Sequence, residues 1–510
     1  MVDTRIACLR ILFCAFSLIV APLLAGTVLA QGAATPDEGE SLAGAGGSNA
    51  TFPPKLPDGR QRAFPSAEGF GAAAKGGRGG TVIYVTNLDD SGAGSLRACV
   101  EARGPRTCIF RVGGTITALS PIQVRDPFIT IAGQTAPGGG IAIRNGPENG
   151  EAPLQTLTHD IIVRHIRLRP GPGAVSCCLN ALGVFQGTED VMFDHLSMSW
   201  GVDQNIATWK GSRDYTIQWS IISEPLFNAP HLHHQGDRSR TIHIEWSRNV
   251  SFHHNLIAHT SYRNPLVIPA GGITDIVNNV NYNAARAVIA LSNKHGRVEA
   301  NVVGNYDILG PTSRYWAQHH ARSLLADGYL VSLVQQGRSK NDFAIYLDDN
   351  YSEPRLTSAS QPDSDAVYPG FFTGEGPTRD SAWRQAIVST RLPAPQVHAT
   401  SPLAAYHAVL AGAGATRPQR DATDARIVRE TRTRTGNVQL VQLHPDEVGG
   451  WPALADATPY ADDDQDGMAD DWERAHQLDA SDAADGNRDR NDDGWTNLEE
   501  FIHELAGDQP

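Results

Sequence analysis

Six stretches of the chain repeat one pattern, and the distance between them limits the folds that the chain can adopt. Each stretch alternates apolar and polar residues, is rich in β-branched and aromatic types, and is bounded by Gly, Asp, Asn or Pro, which is typical of strands. The stretches are Ile161–Arg169, Val191–Ser199, Tyr215–Ser223, Val250–Ala258, Thr274–Tyr282 and Val298–Tyr306. A recurring unit of about 20–35 residues cannot bury its apolar face alone, so the pattern predicts that successive units stack.

The long spacing between the stretches also favours parallel strands. Strands joined by hairpins recur at shorter intervals, so the pattern favours an all-β solenoid, a stacked parallel β-helix, over a β-sandwich. When the stretches are aligned, Asn255, Asn279 and Asn301 share one column. Their side-chain amides are therefore predicted to hydrogen-bond from coil to coil, as stacked amides do in other parallel β structures.

A segment before the first repeat predicts a short helix. Gly92–Ala102 carries Ser95 in the N-cap position and a short apolar stripe. We expect this helix to cover the open end of the stack, where a sheet edge would otherwise be exposed. The 50 glycines and 31 prolines of the chain fit many tight turns between short strands.

Composition divides the 510 residues into five segments. Residues 1–30 have a basic start, an apolar stretch and a small-residue cleavage site, which predicts a signal peptide and a secreted protein. Their apolar run is shorter than the ~20 residues of a membrane span. The predicted segments that follow are a flexible linker (31–62), the β-helix (63–350), an irregular, partly helical extension packed on it (351–460) and a calcium-binding tail (461–510).

The negative charge of the chain is concentrated in its tail. The formal net charge is −14, and residues 461–510 alone contain 17 acidic and 3 basic residues. The rest of the chain is close to neutral and has no basic stripe, which argues against nucleic acid as a partner. We also expect no membrane partner and a monomeric protein.

Two stretches of the tail fit the twelve-residue calcium loop of an EF-hand. Oxygen ligands at positions 1, 3 and 5 and a glutamate at position 12 surround the ion in such a loop, and a glycine at position 6 allows its turn. The predicted Ca²⁺ ligands are Asp462, Asp464, Asp466 and Glu473 in the first loop and Asp489, Asn491, Asp493 and Glu500 in the second. Of two interpretations, a calcium-stabilised spacer is favoured over a module that docks a partner.

Cysteines and sequons suggest covalent modifications of a secreted protein. Cys99 and Cys108 are the predicted disulfide, because they close a short loop in an oxidising compartment. The adjacent Cys177 and Cys178 can pair only across a strained peptide, so their state is left open. Sequons for N-glycosylation, which depend on the host, are present at Asn49, Asn249 and Asn350.

Long strings of the body resemble the pectate lyases of polysaccharide lyase family 1. The strings are AFPSAEGFGA at 63–72, GGRGG at 76–80, VTNLDDSGAGSLR at 85–97, TIAGQTAPGGGI at 130–141, FDHLSMSWGVDQ at 193–204 and RNP at 263–265. The resemblance implies a right-handed parallel β-helix that cleaves polygalacturonate by β-elimination with Ca²⁺. The implied partner is thus an acidic polysaccharide.

The implied reaction needs a base and a way to stabilise negative charge. The proton alpha to the uronate carboxylate is weakly acidic, and Ca²⁺ on that carboxylate stabilises the enolate-like intermediate. By motif, Arg263 falls on the family's catalytic arginine, Asp203 and Asn180 fall on calcium-ligand positions, and His233 lies near the position of a substrate-binding lysine. Asp194, in the same string as Asp203, is mainly an architectural residue and also a candidate substrate-binding residue. An arginine base requires an alkaline medium or a lowered pKa, because free guanidinium stays protonated.

The chain departs from the family pattern at its calcium positions. Asn180 stands where an aspartate is usual, and Ala207 replaces a second one, so fewer carboxylates would hold the ion. A non-catalytic protein that binds acidic polysaccharide therefore remains an alternative. A β-helix glycoside hydrolase is another; it needs two carboxylates about 5–9.5 Å apart, and Asp194 and Asp203 are the only obvious pair.

Overall fold

The computed structural model describes residues 52–508, except 234–235, 237, 287–288, 321–327, 335, 337–341, 354–366 and 370–380. The predicted signal peptide, most of the predicted linker, Asn49 and part of the predicted extension lie outside the described residues. Within the described part, no helix has both the length and the apolar character needed to cross a bilayer.

The described strands form three sheets. Sheet 1 contains β1 (Thr81–Val85), β2 (Arg106–Phe110), β5 (Ile129–Ala132), β8 (His159–Arg164), β11 (Glu189–Asp194), β14 (Arg213–Gln218), β17 (Arg248–His253), β20 (Ile273–Val277), β23 (Val298–Val303) and β26 (Phe343–Asp348). Sheet 2 contains β3 (Gly114–Ala118), β6 (Ile141–Asn145), β9 (Ile166–Leu168), β12 (Ser197–Ser199), β15 (Ile221–Ser223), β18 (Leu256–Ala258), β21 (Val280–Tyr282), β24 (Tyr306–Ile308) and β27 (Tyr351–Ser352). Sheet 3 contains β4 (Ile122–Val124), β7 (Leu154–Thr156), β10 (Asn180–Val184), β13 (Gln204–Thr208), β16 (Ile242–Glu245), β19 (Leu266–Ile268), β22 (Ile289–Ser292), β25 (Val331–Val334) and β28 (Val367–Pro369).

From β2 onward, successive strands along the chain belong to the three sheets in turn, so each of these coils contributes one strand to each sheet, while β1 adds a tenth strand to sheet 1. Neighbouring strands pair in parallel; Asp194 in β11, for example, lies opposite Arg164 in β8 and Gln218 in β14. Crossovers between parallel strands are right-handed in nearly all proteins. The chain is a right-handed parallel β-helix, so the stacked parallel coils predicted from the repeats are confirmed, with the handedness that the family resemblance implied.

The interior of the coils is one continuous apolar cluster. Inward-facing Ile, Val, Leu and Phe side chains from all three sheets form it, from Val85 in the first strand to Val367 in the last. Side chains alternate between the two faces of a strand, so every coil supplies apolar residues to the interior and polar ones to the outside. Each fully buried side chain contributes about 1.5–3 kcal/mol, which explains why the units must stack.

A tight bend with positive φ lies between sheet 1 and sheet 2 in successive coils. The bend residues, with φ between 47° and 64°, are His165, His195, Trp219, His254, Asn278, Gly304 and Asp349. The rings of the first four stack from coil to coil, with centroids 4.6 to 6.1 Å apart. These histidines therefore belong to the architecture of the bend.

An asparagine ladder follows the bend, with one member different from the prediction. Asn255 Nδ2 donates to Asn279 Oδ1, and Asn279 Nδ2 donates to Asn305 Oδ1, both at 3.0 Å. Asn301 lies instead on β23, where its amide donates to Asp275 across the coils. The prediction of Asn301 was wrong because a shift by four residues leaves an alternating pattern unchanged, so the pattern could not fix the register.

The described α-helices lie outside the coils. They are α1 (Leu96–Glu101), α2 (Pro311–His319), α3 (Pro402–Gly412), α4 (Ala422–Thr433), α5 (Asp470–Ala475) and α6 (Asn497–Ala506). Ser95 Oγ accepts from the N–H of Ala98 and caps α1, whose apolar residues enter the interior cluster beside β1, β2 and β4. The predicted helix at the open end of the stack is confirmed.

The segments after the coils pack on the outer faces of the sheets. Helices α3 and α4 bury Val409 and Ile427 against sheet 2. The tail buries Met468, Leu498 and Phe501 against Ile109 and Ala132 of sheet 1. The apolar residues of both segments are thus buried against the β-helix of the same chain.

Both cysteine pairs are joined in the structure. Cys99 is bonded to Cys108 as predicted, and the pair that the sequence left open, Cys177 and Cys178, is also bonded. Asn350, by contrast, is buried in the asparagine ladder, where its Nδ2 donates to the carbonyl of Val302 at 2.7 Å. A glycan on Asn350 is therefore incompatible with this fold, although its sequence matches a sequon.

Candidate active site

The predicted base and the predicted calcium ligands of the body lie near the N-terminal ends of neighbouring strands of sheet 3. Asn180 begins β10 and pairs in register with Gln204, which begins β13. Arg263 lies before β19 at φ 67°, and its carbonyl oxygen accepts from the N–H of Ile242, the first residue of β16. Because neighbouring strands are about 4.8 Å apart, equivalent positions of successive coils come together here.

Asp203 is enclosed by cations. Its Oδ1 accepts from Nη1 of Arg238 and, at 3.2 Å, from Nη1 of Arg240, and it lies 3.5 Å from Nε2 of His231. Its Oδ2 accepts from Nε2 of Gln204 at 2.6 Å. Both oxygens of this carboxylate are therefore already bound by the protein.

The donor set around Asp203 does not fit a divalent cation. Asn180 Oδ1 accepts from the backbone N–H of Gln204 at 3.2 Å, and Asn180 Nδ2 donates to the carbonyl of Cys178. Ala207, on the next strand, offers no oxygen. Calcium prefers several carboxylate or carbonyl oxygens, whereas the neighbours here are guanidinium groups. The charges around Asp203 and Asn180 therefore do not favour the predicted pairing of these residues as calcium ligands, which stays a prediction.

Arg263 has the properties that an arginine base requires. Its Nη1 donates to Oε1 of Gln204 at 2.8 Å, while Nε has no hydrogen-bond partner among the described residues. Burial, and after it the nearby guanidinium of Arg240, lower the pKa of Arg263 to about 10. A lowered pKa makes the neutral, proton-accepting form accessible in moderately alkaline solution. We call Arg238, Arg240 and Arg263 the arginine cluster.

His233 lies at the edge of this cluster. Its side chain is exposed, and its backbone N–H donates to Nδ1 of His231 at 3.1 Å. His231 is buried, and its Nε2 also lies 2.7 Å from the carbonyl of Cys177. A ligand that reached the arginine cluster would find His233 accessible, so its role in substrate binding stays a prediction.

Asp194 lies elsewhere, under the surface of sheet 1. It is 0% exposed, and its carboxylate accepts from Nε of Arg164 at 2.7 Å and from Nε2 of Gln218 at 2.8 Å. Although burial alone would raise it, the pKa of Asp194 is held well below its usual range by His195 and Arg164. The prediction that Asp194 binds substrate is contradicted, because a polysaccharide cannot reach a carboxylate enclosed in this way.

A second polar group extends the same face of sheet 3. Glu245, at the end of β16, lies within 3.2 Å of His243 Nε2, Lys294 Nζ and His295 Nε2. Although burial raises it, hydrogen bonds from these three side chains hold the pKa of Glu245 well below its usual range. The half-exposed ring of Trp246 stacks on His295 at 3.7 Å. Cations therefore outnumber carboxylates on this face, which suits a polyanionic ligand.

The two predicted loops of the tail both have the expected turn but differ in their carboxylates. Gly467 and Gly494, at position 6 of the two loops, share φ 97°, a conformation that side chains disfavour. The first loop brings oxygens of Asp462, Asp464 and Asp466 within 4.8 Å of one another. The ligands predicted for the second loop, Asp489, Asn491, Asp493 and Glu500, are engaged in hydrogen bonds within the tail.

The partners of Asp203 were missed in the sequence. Arg238 and Arg240 are two residues apart, and Ser239 between them has φ 49°, so the chain bends there. Nothing in the sequence indicated this bend or that Asp203, some 35 residues earlier, would be the group that both arginines face.

Sequence comparison connects the chain with known proteins. It is 34% identical over 450 residues to the probable pectate lyase C of Aspergillus fumigatus, covering 87% of this chain and 94% of the relative. The probable pectate lyase C of Aspergillus flavus is 34% identical over 448 residues, with the same coverage. No model of a known protein family matches the chain.

Solved structures with a similar course of the chain include the major allergen of cedar pollen and pectate lyase II of Xanthomonas campestris. The allergen is 15% identical, with 68% of this chain and 93% of that chain covered and a TM-score of 0.46. The lyase is 14% identical, with 70% of this chain and 100% of that chain covered and a TM-score of 0.38.

Proposed function

Because the chain belongs to the pectate lyases of polysaccharide lyase family 1, we propose that it cleaves polygalacturonate or a related uronan by β-elimination, with Arg263 as the base. The observation that carries this proposal is the environment of Arg263, whose pKa is lowered to about 10 by burial and by Arg240. The neutral guanidine then exists at a useful fraction in alkaline solution, as a general base must.

The other residues of the arginine cluster suit the carboxylate of the substrate. Arg238 and Arg240 face one carboxylate already, that of Asp203, and guanidinium groups bind carboxylates through paired hydrogen bonds. A uronate placed beside them would have its negative charge neutralised where the enolate-like intermediate develops. Arg263 would take the proton alpha to this carboxylate, and the electron pair of the broken C–H bond would expel the glycosidic oxygen at C4. The products are a 4,5-unsaturated uronide and a new chain end.

The family resemblance implied calcium at this position, but the residues around Asp203 supply cations of their own. We therefore propose that neutralisation of the substrate depends on the arginine cluster. The dependence on calcium that the family implies is proposed for the tail instead. Secretion, implied by the predicted signal peptide, agrees with an extracellular polysaccharide as substrate.

The two alternatives, a glycoside hydrolase and a non-catalytic binding protein, require different residues from a lyase. Hydrolysis would need two accessible carboxylates, whereas Asp194 is buried and Asp203 is bound by two arginines. A protein that only binds acidic polysaccharide would need the cations of sheet 3 but no base. The formation of an alkene separates both alternatives from a lyase.

The test is the ultraviolet absorbance of polygalacturonate incubated with wild type and with Arg263→Ala at alkaline pH. Wild type is expected to produce the absorbing alkene, and Arg263→Ala to lower the rate about 10²–10⁴-fold, the usual contribution of a general base. The matched control is Arg248→Ala, which removes an exposed arginine of sheet 1 and should leave the rate unchanged.

Two results would overturn the proposal. If folded wild type produced no alkene from several acidic polysaccharides but still bound them, the binding function would replace the lyase. If Arg263→Ala retained the wild-type rate, Arg263 would not be the base.

A further inference from the structure

Five carboxylates of the tail converge on one space. Oxygens of Asp462, Asp464 and Asp466 lie within 4.8 Å of one another, and so do oxygens of Asp466, Glu473 and Asp485. Asp466 belongs to both groups, which makes them neighbours. Asp485 is the unexpected member, because it lies twelve residues after Glu473 and thus outside the twelve-residue loop.

These carboxylates are buried without the partners that buried charges normally have. Glu473 is 0% exposed, and neither of its carboxylate oxygens has a hydrogen-bond partner among the described residues. Asp466 Oδ2 and Asp485 Oδ1 also lack partners, although these residues are only 5% and 4% exposed. An uncompensated buried carboxylate costs several kcal/mol, so this arrangement is stable only with a cation or with bound protons.

The close approach of Gly486 supports a site shaped around these oxygens. A Cβ atom on Gly486 would lie 2.5 Å from Oδ2 of Asp466, so only glycine lets the segment after Asp485 pass so close to the carboxylate. The position next to Asp485 is therefore constrained by the same group of oxygens.

The predicted ligands of the second loop have hydrogen-bond or ion-pair partners within the tail, although Glu500 Oε2 accepts no hydrogen bond among the described residues and is compensated only by the charge of Arg490. Asn491 Nδ2 donates to Glu500 Oε1, and Arg490 Nε lies 2.8 Å from Glu500 Oε2. Asp489 accepts from the backbone N–H groups of Asp493 and Gly494 at 3.2 and 2.8 Å. A cation is not needed to compensate these groups, in contrast to the first loop.

We propose that the tail binds one Ca²⁺ per chain, held by Asp462, Asp464, Asp466, Glu473 and Asp485, with Asp485 as a ligand from outside the loop. Hard oxygen ligands without His or Cys suit Ca²⁺, and affinity rises with the number of charged ligands. Mg²⁺ is a weaker candidate, because it keeps several waters and is seldom enclosed by protein carboxylates alone.

The ion would hold the tail on the first coils of the β-helix. Asp462 Oδ2 accepts from Tyr84 Oη at 2.5 Å and lies 3.6 Å from Nη1 of Arg111, so the loop touches residues of β1 and of the turn after β2. Met468 and Phe501, beside the two loops, are buried against sheet 1. The site therefore fastens parts of one chain to each other and does not offer these apolar residues to a partner.

The experiment is a calorimetric titration of Ca²⁺ into the full chain after removal of metal with a chelator. Wild type is expected to bind close to one equivalent. Asp485→Asn should weaken binding about tenfold or more, and Glu473→Gln should weaken it further, since each removes a charged ligand. The matched control is Asp493→Asn in the second loop, which should leave both affinity and stoichiometry as in wild type.

Folding of each variant is checked by circular dichroism in excess Ca²⁺, with Asp485→Glu as a second variant that keeps the charge and should recover part of the affinity. Two equivalents of Ca²⁺, with Asp493→Asn weakening one of them, would overturn the single-site proposal. An Asp485→Asn variant that is folded and binds like wild type would remove Asp485 from the site. None of these readouts depends on lyase activity.

Discussion

The arginine cluster on sheet 3 and the first loop of the tail differ in how the negative charge of their carboxylates is compensated. Asp203 is surrounded by Arg238 and Arg240, which compensate its charge from within the protein. Glu473 and Asp485 are more deeply buried than Asp203 and form no ion pair with a cationic side chain among the described residues. The comparison teaches that acidic residues locate a calcium site only when the fold leaves their charge uncompensated.

The largest expected effect comes from the link between the tail and the coils. Arg164 lies between the buried carboxylates of Asp194 and Asp508, at 2.7 and 2.8 Å. Arg164→Met should lower the free energy of unfolding by about 3–5 kcal/mol, because two buried anions lose their partner. Urea denaturation in the presence of Ca²⁺ measures the change, and the exposed Arg248→Met is the control. A loss below about 1 kcal/mol would mean that the tail and the coils are not coupled through Arg164.

Removal of calcium is expected to affect the stability contributed by the tail without affecting the reaction at the arginine cluster. A ligand present at a hundred times its Kd stabilises the folded state by about 2.7 kcal/mol, so a chelator should lower the Tm by a corresponding amount. The lyase rate, measured at a temperature where the chain stays folded, should change less than about twofold, because the arginine cluster supplies the cations. An immediate loss of activity without a change in Tm would mean that calcium acts at the active site and not in the tail.

The pH dependence tests the cluster alone. The reactive form of Arg263 is the neutral one. As the pH rises towards the pKa of about 10, the neutral fraction increases about tenfold for each pH unit, and above the pKa it is nearly constant. The value of kcat/KM should therefore rise through pH 8 and 9 and level off near 10. The charged or titratable groups that influence the pKa of Arg263 are Arg240, Tyr262, Asp203 and Glu245. Arg240→Gln should move the profile to higher pH, because it removes the cation that lowers this pKa; a profile unchanged in Arg240→Gln would contradict the assignment.

The smallest expected effect concerns binding of the polymer. Arg240→Gln removes one partly buried cation and should raise KM about three- to tenfold, the worth of roughly one ordinary net hydrogen bond, with kcat at the plateau of the pH profile less affected. Steady-state kinetics on polygalacturonate measures both constants, and Arg248→Gln is the control for a general loss of charge. An unchanged KM would mean that Arg240 only compensates Asp203.

The repeats were predictable because their signal is local. Alternation of apolar and polar residues, turn residues at the bends and a helix capped by Ser95 can all be recognised in the sequence, and the structure contains them. The register of the last repeat was not predictable. Asn301 and Asn305 are both compatible with a period of two, and only the hydrogen bonds between coils distinguish them.

The candidate site was predictable in part. Arg263 lies where the RNP motif implied, and Asp203 lies close to it through Gln204. Asp194 was a candidate substrate-binding residue in the same string as Asp203, but its strand belongs to sheet 1 and its side chain is buried. A sequence motif identifies the neighbours of a residue along the chain, but it does not show which sheet the residue belongs to or whether its side chain is accessible.

The sequence by itself determined the stacked coils, the family and the position of two acidic loops, since each depends on residue types at short and regular spacing. Only the tertiary structure decided which carboxylates have partners: it brought Arg238 and Arg240 to Asp203, Arg164 to Asp194, and Asp485 to Glu473. These pairings join residues that no local pattern connects. The free energy of a buried charge depends on what surrounds it in space, and that is fixed only when the coils and the tail are packed together.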